Sequence, residues 1–406
     1  MFYAQAVISI KTWNCAFIFH GIAFGMLPIL IPLYFVDFLE GSIFDFGLMS
    51  AISTFFSILA SIYAGRLPEI HERVKPYILG SFLLSSLFLF ALTKTSNLYL
   101  FQILYILLGA ANSIYGPSTR IFIAETYQKA DWGRTFAVHN LVVGLSNTLG
   151  LAICSLAVSN IGYGTLLFIC APLVLASFLV ALAVINDPPI YVERWLSRIS
   201  RPIDDVESFS YWFGSTRSAG KIRLTPTVNM TLFGLGTSIF ILATSSAFSS
   251  LPIFLSNTIF MAPSTIFAIY FGRSLIGSIS YVFVGKLSGE GGGGSAVKVA
   301  SIARAVLVLL FISVSFSPLV GPIVIVLLLS ALEVSWSLYS IGSSTVIVNY
   351  ATEGSMGYYD ALSSVGSVVG ALLSGAIPAI FGFNFLFILA SALFLVGFLV
   401  FSRASS

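Results

Sequence analysis

Arg273 and Glu333 stand near the middle of two long apolar runs, where a helix crossing a bilayer has no water to solvate a charge. On insertion scales a charge at such a place costs roughly 2.5–3.5 kcal/mol, so a bundle that keeps two of them turns both toward a cavity or toward each other. Their chemistries are complementary. A guanidinium keeps its charge across the pH range of a cell and holds a carboxylate or phosphate through a planar fork, whereas the Glu333 carboxyl can lose and regain a proton. A carboxyl whose contact with a guanidinium is made and broken as helices move exchanges its proton in step with the movement, which is a proton-coupling device. The plainer reading is an Arg–Glu pair that only locks two helices together. Tyr270, Arg273 and Gly277 fall at helical spacing on one run, and Glu333, Trp336, Ser340 and Ser344 on the other.

The elements that hold these residues are membrane helices. The chain of 406 residues is 57% hydrophobic and only 9% charged, and its apolar runs of about 20 residues match the thickness of a bilayer. Twelve spans are predicted, at roughly 13–39, 43–66, 76–94, 98–127, 132–160, 163–186, 227–257, 264–286, 299–318, 321–349, 357–383 and 385–402. The polar stretch from Asp187 to Pro226 divides an all-α membrane protein into a six-helix half over residues 1–186, a cytoplasmic linker over 187–226 and a second six-helix half over 227–406. Within the linker, Tyr191, Trp195 and Ile199 form a short apolar face flanked by Arg194, Arg198 and Arg201, the pattern of a helix lying on the membrane surface.

Basic residues set the orientation, because Lys and Arg gather in short cytoplasmic connections. With a cytoplasmic N-terminus, all of the nineteen fall on that side or at its helix ends except Lys94, Arg120 and Arg273. The expected placement is therefore a multi-pass protein of the cell membrane with both termini cytoplasmic. The net charge of +3 reports this topology and gives no reason to expect nucleic acid as a partner. The short segment before the first span lacks the features of a secretory signal, so the first span is expected to stay as an anchor. Cys15, Cys154 and Cys170 all lie inside spans with no ligand-like spacing, so neither a disulfide, a metal nor another cofactor is expected.

The two halves repeat each other at an offset of 220 residues. Pro32-Leu33-Tyr34-Phe35 falls on Pro252-Ile253-Phe254-Leu255, Gly65-Arg66-Leu67 on Gly285-Lys286-Leu287, and Gly150 on Gly370. A parallel pair of six-helix halves places the ligand between them near the midplane and lets them rock about it in alternating access. The second-half loop also carries Gly291 to Gly294 and Ser295, which could be an engineered flexible linker; the unbroken register favours a native Gly-rich turn.

The connection after the second span, Gly65-Arg66-Leu67-Pro68-Glu69-Ile70-His71-Glu72-Arg73-Val74-Lys75, is similar to the loop signature of the major facilitator superfamily. The resemblance covers essentially the whole chain. Glu69 stands where that family usually has Asp, and Glu72 replaces its second Gly, which removes the residue best suited to a tight turn. The resemblance implies a cytoplasmic gate in which Glu69 meets the start of the eleventh span near Gly357, while Arg73, beside Lys75, pairs with Glu125. Ala124-Glu125 followed by Arg134 also resembles the family pattern at the next connection; the plain alternative is a pair of solvated helix-end charges, each pair worth about 0–1 kcal/mol. By resemblance the first, fourth, seventh and tenth spans line the cavity, which would put Glu333 and Trp336 on it.

On the fourth span Tyr105, Gly109, Asn112, Gly116 and Arg120 share one face. The glycines read as packing residues and Asn112 as a packing or cavity residue. Asn140, Gly144, Asn147 and Cys154 form a similar stripe on the fifth, with His139 beside it, and Gly144 to Gly150 lacks the proline of the family's antiporter signature. His20, which titrates near neutrality when unperturbed, is expected toward the cytoplasmic mouth, as a proton site or a packing residue. Asp360 is a second proton site or part of the gate. No Gly-Lys-Ser/Thr phosphate loop and no His-Glu-x-x-His helix is present, which argues against an ATP-driven pump or a membrane enzyme. What remains is a monomeric secondary transporter in the lipid bilayer, coupled to protons, whose partner is a small organic anion or zwitterion held by Arg273 and Trp336. The alternatives are an exporter of amphipathic or cationic compounds, with Glu333 as the cation site, and uncoupled movement of lipid by a scramblase-like or channel-like chain.

Overall fold

The computed structural model describes residues 11–71, 73–128, 131–187, 228–287, 293–316, 322–350 and 353–404. The interfacial helix expected in the linker, and Gly291 with Gly292, lie outside them. Every regular element among these residues is helical. In chain order they are α1 (Thr12–Phe38), α2 (Ile43–His71), α3 (Lys75–Lys94), α4 (Leu98–Thr126), then a run of 53 residues, Trp132–Val184, and after the linker α7 (Met230–Thr258), α8 (Pro263–Leu287), α9 (Gly293–Phe316), α10 (Pro322–Tyr350), α11 (Glu353–Phe381) and α12 (Phe383–Ala404).

A straight helix of 53 residues would reach about 80 Å, more than twice the hydrocarbon thickness of a bilayer. The run instead folds back at Gly162, whose φ of 73° and ψ of 167° are open only to glycine. It is therefore two helices, α5 over 132–161 and α6 over 163–184. Ten helices are long and apolar enough to cross a membrane if this run counts as one; α8, which carries Arg273, is of span length but is not among the ten. The outward faces of the helices are apolar and bare, as with Leu156 at 80% and Ile323 at 75% exposure. Surfaces of that kind suit lipid and would aggregate in water. The α1 and α7 helices are the most enclosed, with 72% and 56% of their apolar windows buried, and so form the inner posts of the two sets.

The offset of 220 residues read from the sequence recurs in the backbone. Each inner post ends in a π-helical turn just after a proline, Tyr34–Phe38 after Pro32 and Phe254–Thr258 after Pro252. Left-handed φ values follow at Glu40 (54°) and Phe260 (57°), and the folds between the fifth and sixth helices of each set use Gly162 (73°) and Gly382 (80°). Close packing repeats as well. A Cβ at Gly150 would lie 2.2 Å from the carbonyl oxygen of Ile22, and one at Gly370 would lie 2.5 Å from that of Leu242, so α5 lies on α1 as α11 lies on α7. In α4 the helix hesitates at Ile114, three residues before Pro117, whose missing N–H leaves a preceding carbonyl without its helical partner.

The two sets meet mainly along two helix pairs, α2 with α11 and α5 with α8, and α1 also touches α7 near Leu251–Ile253. At the end where α1 turns into α2, Gly47 and Gly375 touch backbone to backbone, a Cβ on either falling 2.5 Å from backbone atoms of the other helix. Farther along the bundle, the hydroxyls of Thr148 and Ser274 hydrogen-bond at 2.7 Å. Gly293, at the start of α9, packs on Gly342 of α10, where a Cβ would come within 2.4 Å of a carbonyl oxygen. At least that glycine of the Gly-rich stretch has a packing reason to be small.

A backbone neighbour cannot rotate away as a side chain can. Gly150→Ala should therefore destabilise the protein by about 1–3 kcal/mol, lowering the melting midpoint in detergent, whereas Gly144→Ala, with open space around it, should leave the midpoint unchanged. Equal midpoints would show that α1 and α5 do not pack this closely.

Candidate functional site

The crossing of α8 and α10 brings together the two charges that the sequence singles out. Nε of Arg273 donates to Oε1 of Glu333 at 2.5 Å, and Nη2 reaches the same oxygen. Two donors aimed at one oxygen leave Oε2 free of the fork. That second oxygen lies over Gly277, where a Cβ would stand 3.3 Å from it, so the glycine on α8 makes room for the carboxylate on α10. The side chains remain 24% and 17% exposed, enough for a water-sized molecule to reach both. Tyr270 and Phe248 place their rings 5.3 and 5.8 Å from the guanidinium carbon, and such faces stabilise a cation that has lost water.

Hydroxyls lace the two helices beyond the pair. Ser280 on α8 and Ser337 on α10 hydrogen-bond at 2.7 Å, and Ser337 donates back to the Glu333 carbonyl at 3.1 Å. Trp336, one turn from Glu333, is half-buried and packs on Tyr339, 5.5 Å between ring centroids. The α5–α8 bridge through Thr148 and Ser274 adjoins Arg273 directly, so the pair sits beside the seam between the helix sets.

A third charge belongs to this region, and the charge asymmetry along the chain misplaces it by counting Arg304 with the cytoplasmic helix ends. In the structure Arg304 is 2% exposed. Its Nη1 donates to the Thr244 hydroxyl at 3.0 Å and Nη2 to the Leu332 carbonyl at 3.2 Å, and its Nε has no hydrogen-bond partner. The rings of Trp336, Phe240, Phe248 and Phe394 surround it at 5.2, 5.4, 5.4 and 5.8 Å. The signal was present in the sequence: Val297, Ala300, Ser301, Arg304, Ala305, Val308 and Phe311 follow one helical face, and all are buried.

The polar residues expected from the first half gather elsewhere. His20 is 2% exposed; its Nε2 meets Asn112 Oδ1 at 2.9 Å, its backbone N–H donates to the Ser177 hydroxyl at 2.7 Å, and Phe24, Phe82 and Tyr115 pack around its ring. It thus sits in the packing of the first set, and Asn112 is its partner there. His139 lies in the same region, hydrogen-bonded to Asn14 at 3.2 Å and stacked on Trp13. Asn147 is pressed against α1, its backbone filling the space where a Cβ at Gly25 would go. Tyr105 is half-buried on α4. Gly109 packs on Ser53, whereas Gly116 faces open space.

Of the expected gate, Gly65 has open space around it. Arg73 and Arg134 are exposed, and Glu125 is 8% exposed at the end of α4. Lys75 turns inward along its own half, its Nζ donating to the Leu182 carbonyl at 2.8 Å. The side chains of Glu69 and Asp360, and the surroundings of Gly357, lie outside the described residues. Spacing gave no hint of Asp187, whose carboxylate accepts from the backbone N–H groups of Val74 and Lys75 at 2.8 and 2.7 Å. It caps α3 from the far end of the first set, where a negative charge also suits the helix dipole.

The profile of the Major Facilitator Superfamily matches residues 13–359. An uncharacterized MFS-type transporter, YhjO of Bacillus subtilis (strain 168), is 30% identical over 126 residues, a stretch that spans 31% of this chain and 31% of that protein. Among solved structures, the nucleoside transporter NupG superposes with a TM-score of 0.71 at 13% identity, over 97% of this chain and 98% of that one. The human organic anion transporter MFSD10 gives 0.62 at 15% identity, over 96% and 98%, and a bacterial homologue of the lysosomal transporter Spinster gives 0.68 at 11%, over 97% and 95%. Identities this low speak for the fold alone, but the family profile spans most of the chain. The protein therefore belongs to the Major Facilitator Superfamily, and is a multi-pass membrane transporter of small solutes rather than an enzyme.

Proposed function

We propose that the chain moves a small organic anion or zwitterion together with protons, by alternating access between two halves, residues 1–186 and 227–406, joined by the segment 187–226. The observation that carries this reading is the Arg273–Glu333 pair, joined through one carboxylate oxygen and still accessible beside the seam between the helix sets. A solute carboxylate can replace Glu333 on the fork of Arg273, since a guanidinium binds either through the same planar edge. Glu333, released from the fork, is then free to carry a proton. Solute and proton are thereby taken up together, and re-forming the pair discharges both. The name of one structural neighbour, an organic anion transporter, agrees with the charge of the site. The basic residues argue that both termini face the cytoplasm of a cell-membrane protein, working as a monomer, which makes the Gly47–Gly375 contact the outer closure. Glu69, Arg73, Lys75, Glu125, Arg134 and Gly357 belong in this reading to the opposite, cytoplasmic gate.

Proteoliposomes with a pH-sensitive dye trapped inside test the proposal. Organic acids should evoke proton movement in the wild type and not in Arg273→Ala; a response confined to lipophilic cations and lost in Glu333→Gln would instead favour the exporter of cationic compounds. With an acid as solute, Glu333→Gln should abolish accumulation driven by a pH gradient while solute exchange continues, and unchanged driven uptake would rule out the coupling role.

Closure at the α1–α2 end has its own readout. Gly375→Val drives a side chain toward Ile43 and Gly47, so Ser274→Cys in that background should react faster with an impermeant thiol reagent added outside, and transport should fall. Unaltered labelling would mean that the contact does not close the outer path.

A further inference from the structure

We infer that Arg304 sets the charge preference of the site, making it select anions over neutral and zwitterionic solutes although the residue stays behind the binding surface. This rests on the proposed binding of solute at Arg273.

Three charged side chains of the second helix set lie within its packed interior among the described residues: Arg273 and Glu333 on facing helices, and Arg304 behind them on α9. Arg304 is anchored to the strip of α10 that carries the acid, since it donates to the carbonyl of Leu332, the residue before Glu333, and packs under Trp336, one turn beyond. The Phe248 ring lies against both guanidiniums, 5.8 Å from the carbon of Arg273 and 5.4 Å from that of Arg304. Glu333 and Arg304 interact electrostatically, yet among the described residues no carboxylate forms an ion pair with Arg304, and its Nε has no partner.

A buried cation without a carboxylate of its own is not explained by packing. Aromatic faces and two neutral acceptors offset part of its desolvation, but a methionine or leucine would fill the same cage without any. Its consequence is electrostatic. With Glu333 ionised, the cluster holds two positive charges against one negative, and when a solute displaces Glu333 from Arg273 the excess remains in a region of low dielectric, where it acts over several ångströms. An anion restores the balance. A zwitterion or an amide of the same shape does not.

The test compares uptake of an aromatic monocarboxylate and of its uncharged amide by the full chain in proteoliposomes, for the wild type, Arg304→Met, Arg304→Lys and Arg273→Ala. Arg304→Met should lower the acid-to-amide ratio of uptake efficiencies about tenfold, and Arg304→Lys, which keeps the charge but not the planar fork, should retain most of it. A ratio unchanged in Arg304→Met, or the two solutes falling in proportion in both variants, would assign Arg304 to packing and overturn the inference. If Arg304→Met does not fold, a ratio lost equally in a folded Arg304→Lys overturns it as well. Acid uptake indifferent to Arg273→Ala would sink the binding reading itself, an outcome separable from the others because it does not depend on Arg304.

Discussion

Inside a bilayer no solvent completes the bonding of a charge, and the salt bridge between Arg273 and Glu333 is where this protein meets that constraint with two helices at once. Either charge alone would be costly there, so each fixes the rotation of its helix about the other. Gly277 follows from the same requirement, because a side chain there would crowd the carboxylate. So does the serine pair one turn away, which keeps α8 and α10 in register where their surfaces are otherwise smooth. The pair is nevertheless not sealed. A fully buried bridge would serve only as a lock, whereas this one leaves part of each side chain exposed.

The division of labour between the helix sets is uneven. The second set holds Arg273, Glu333 and Arg304 with rings around them, Phe240, Phe248, Trp336 and Phe394 enclosing the Arg304 guanidinium. The first set holds two buried imidazoles, each joined to an asparagine, His20 with Asn112 and His139 with Asn14. Those bonds satisfy groups on α1, α4 and α5 from within the set and tie its helices into one body. Between the sets α2 packs along α11 and α5 along α8, and among the described residues the polar tie across them is the hydroxyl pair of Thr148 and Ser274, with Gly47 and Gly375 touching through backbone. Faces joined with few directional bonds can part without leaving many polar groups unpaired.

Much of this was legible in residue order, for identifiable reasons. Span positions follow from apolar runs, which the bilayer demands without regard to tertiary detail, and opposite charges near the middle of two such runs made the Arg273–Glu333 pairing an expected way to keep both. The repeat emerged from three short matches and recurs in backbone angles at Glu40 and Phe260 that no propensity would have suggested. What escaped depended on which way a helix faces. Arg304 was hidden because charge counting ignores rotation, although the periodicity of its neighbours held the answer. His20 has the right residue type for a proton site, but three aromatic rings and an asparagine enclose it, and all but Phe24 come from helices far away in the chain. The capping of α3 by Asp187 joins positions more than a hundred residues apart, beyond the reach of any local pattern.

The paired π turns carry a statement about history. A π turn takes one residue more than the α-helix around it, so it marks an insertion that the helix absorbed without losing its course. Here the same surplus residue sits after the same proline in both inner posts, at Tyr34–Phe38 and Phe254–Thr258, and the offset stays fixed from there to the folds at Gly162 and Gly382. Two independent insertions would have no reason to agree to the residue. The bulge therefore belongs to the repeated unit itself: both inner posts end in the same irregular turn, and the chain between that turn and the glycine fold has kept one length in the two sets while their charges differ.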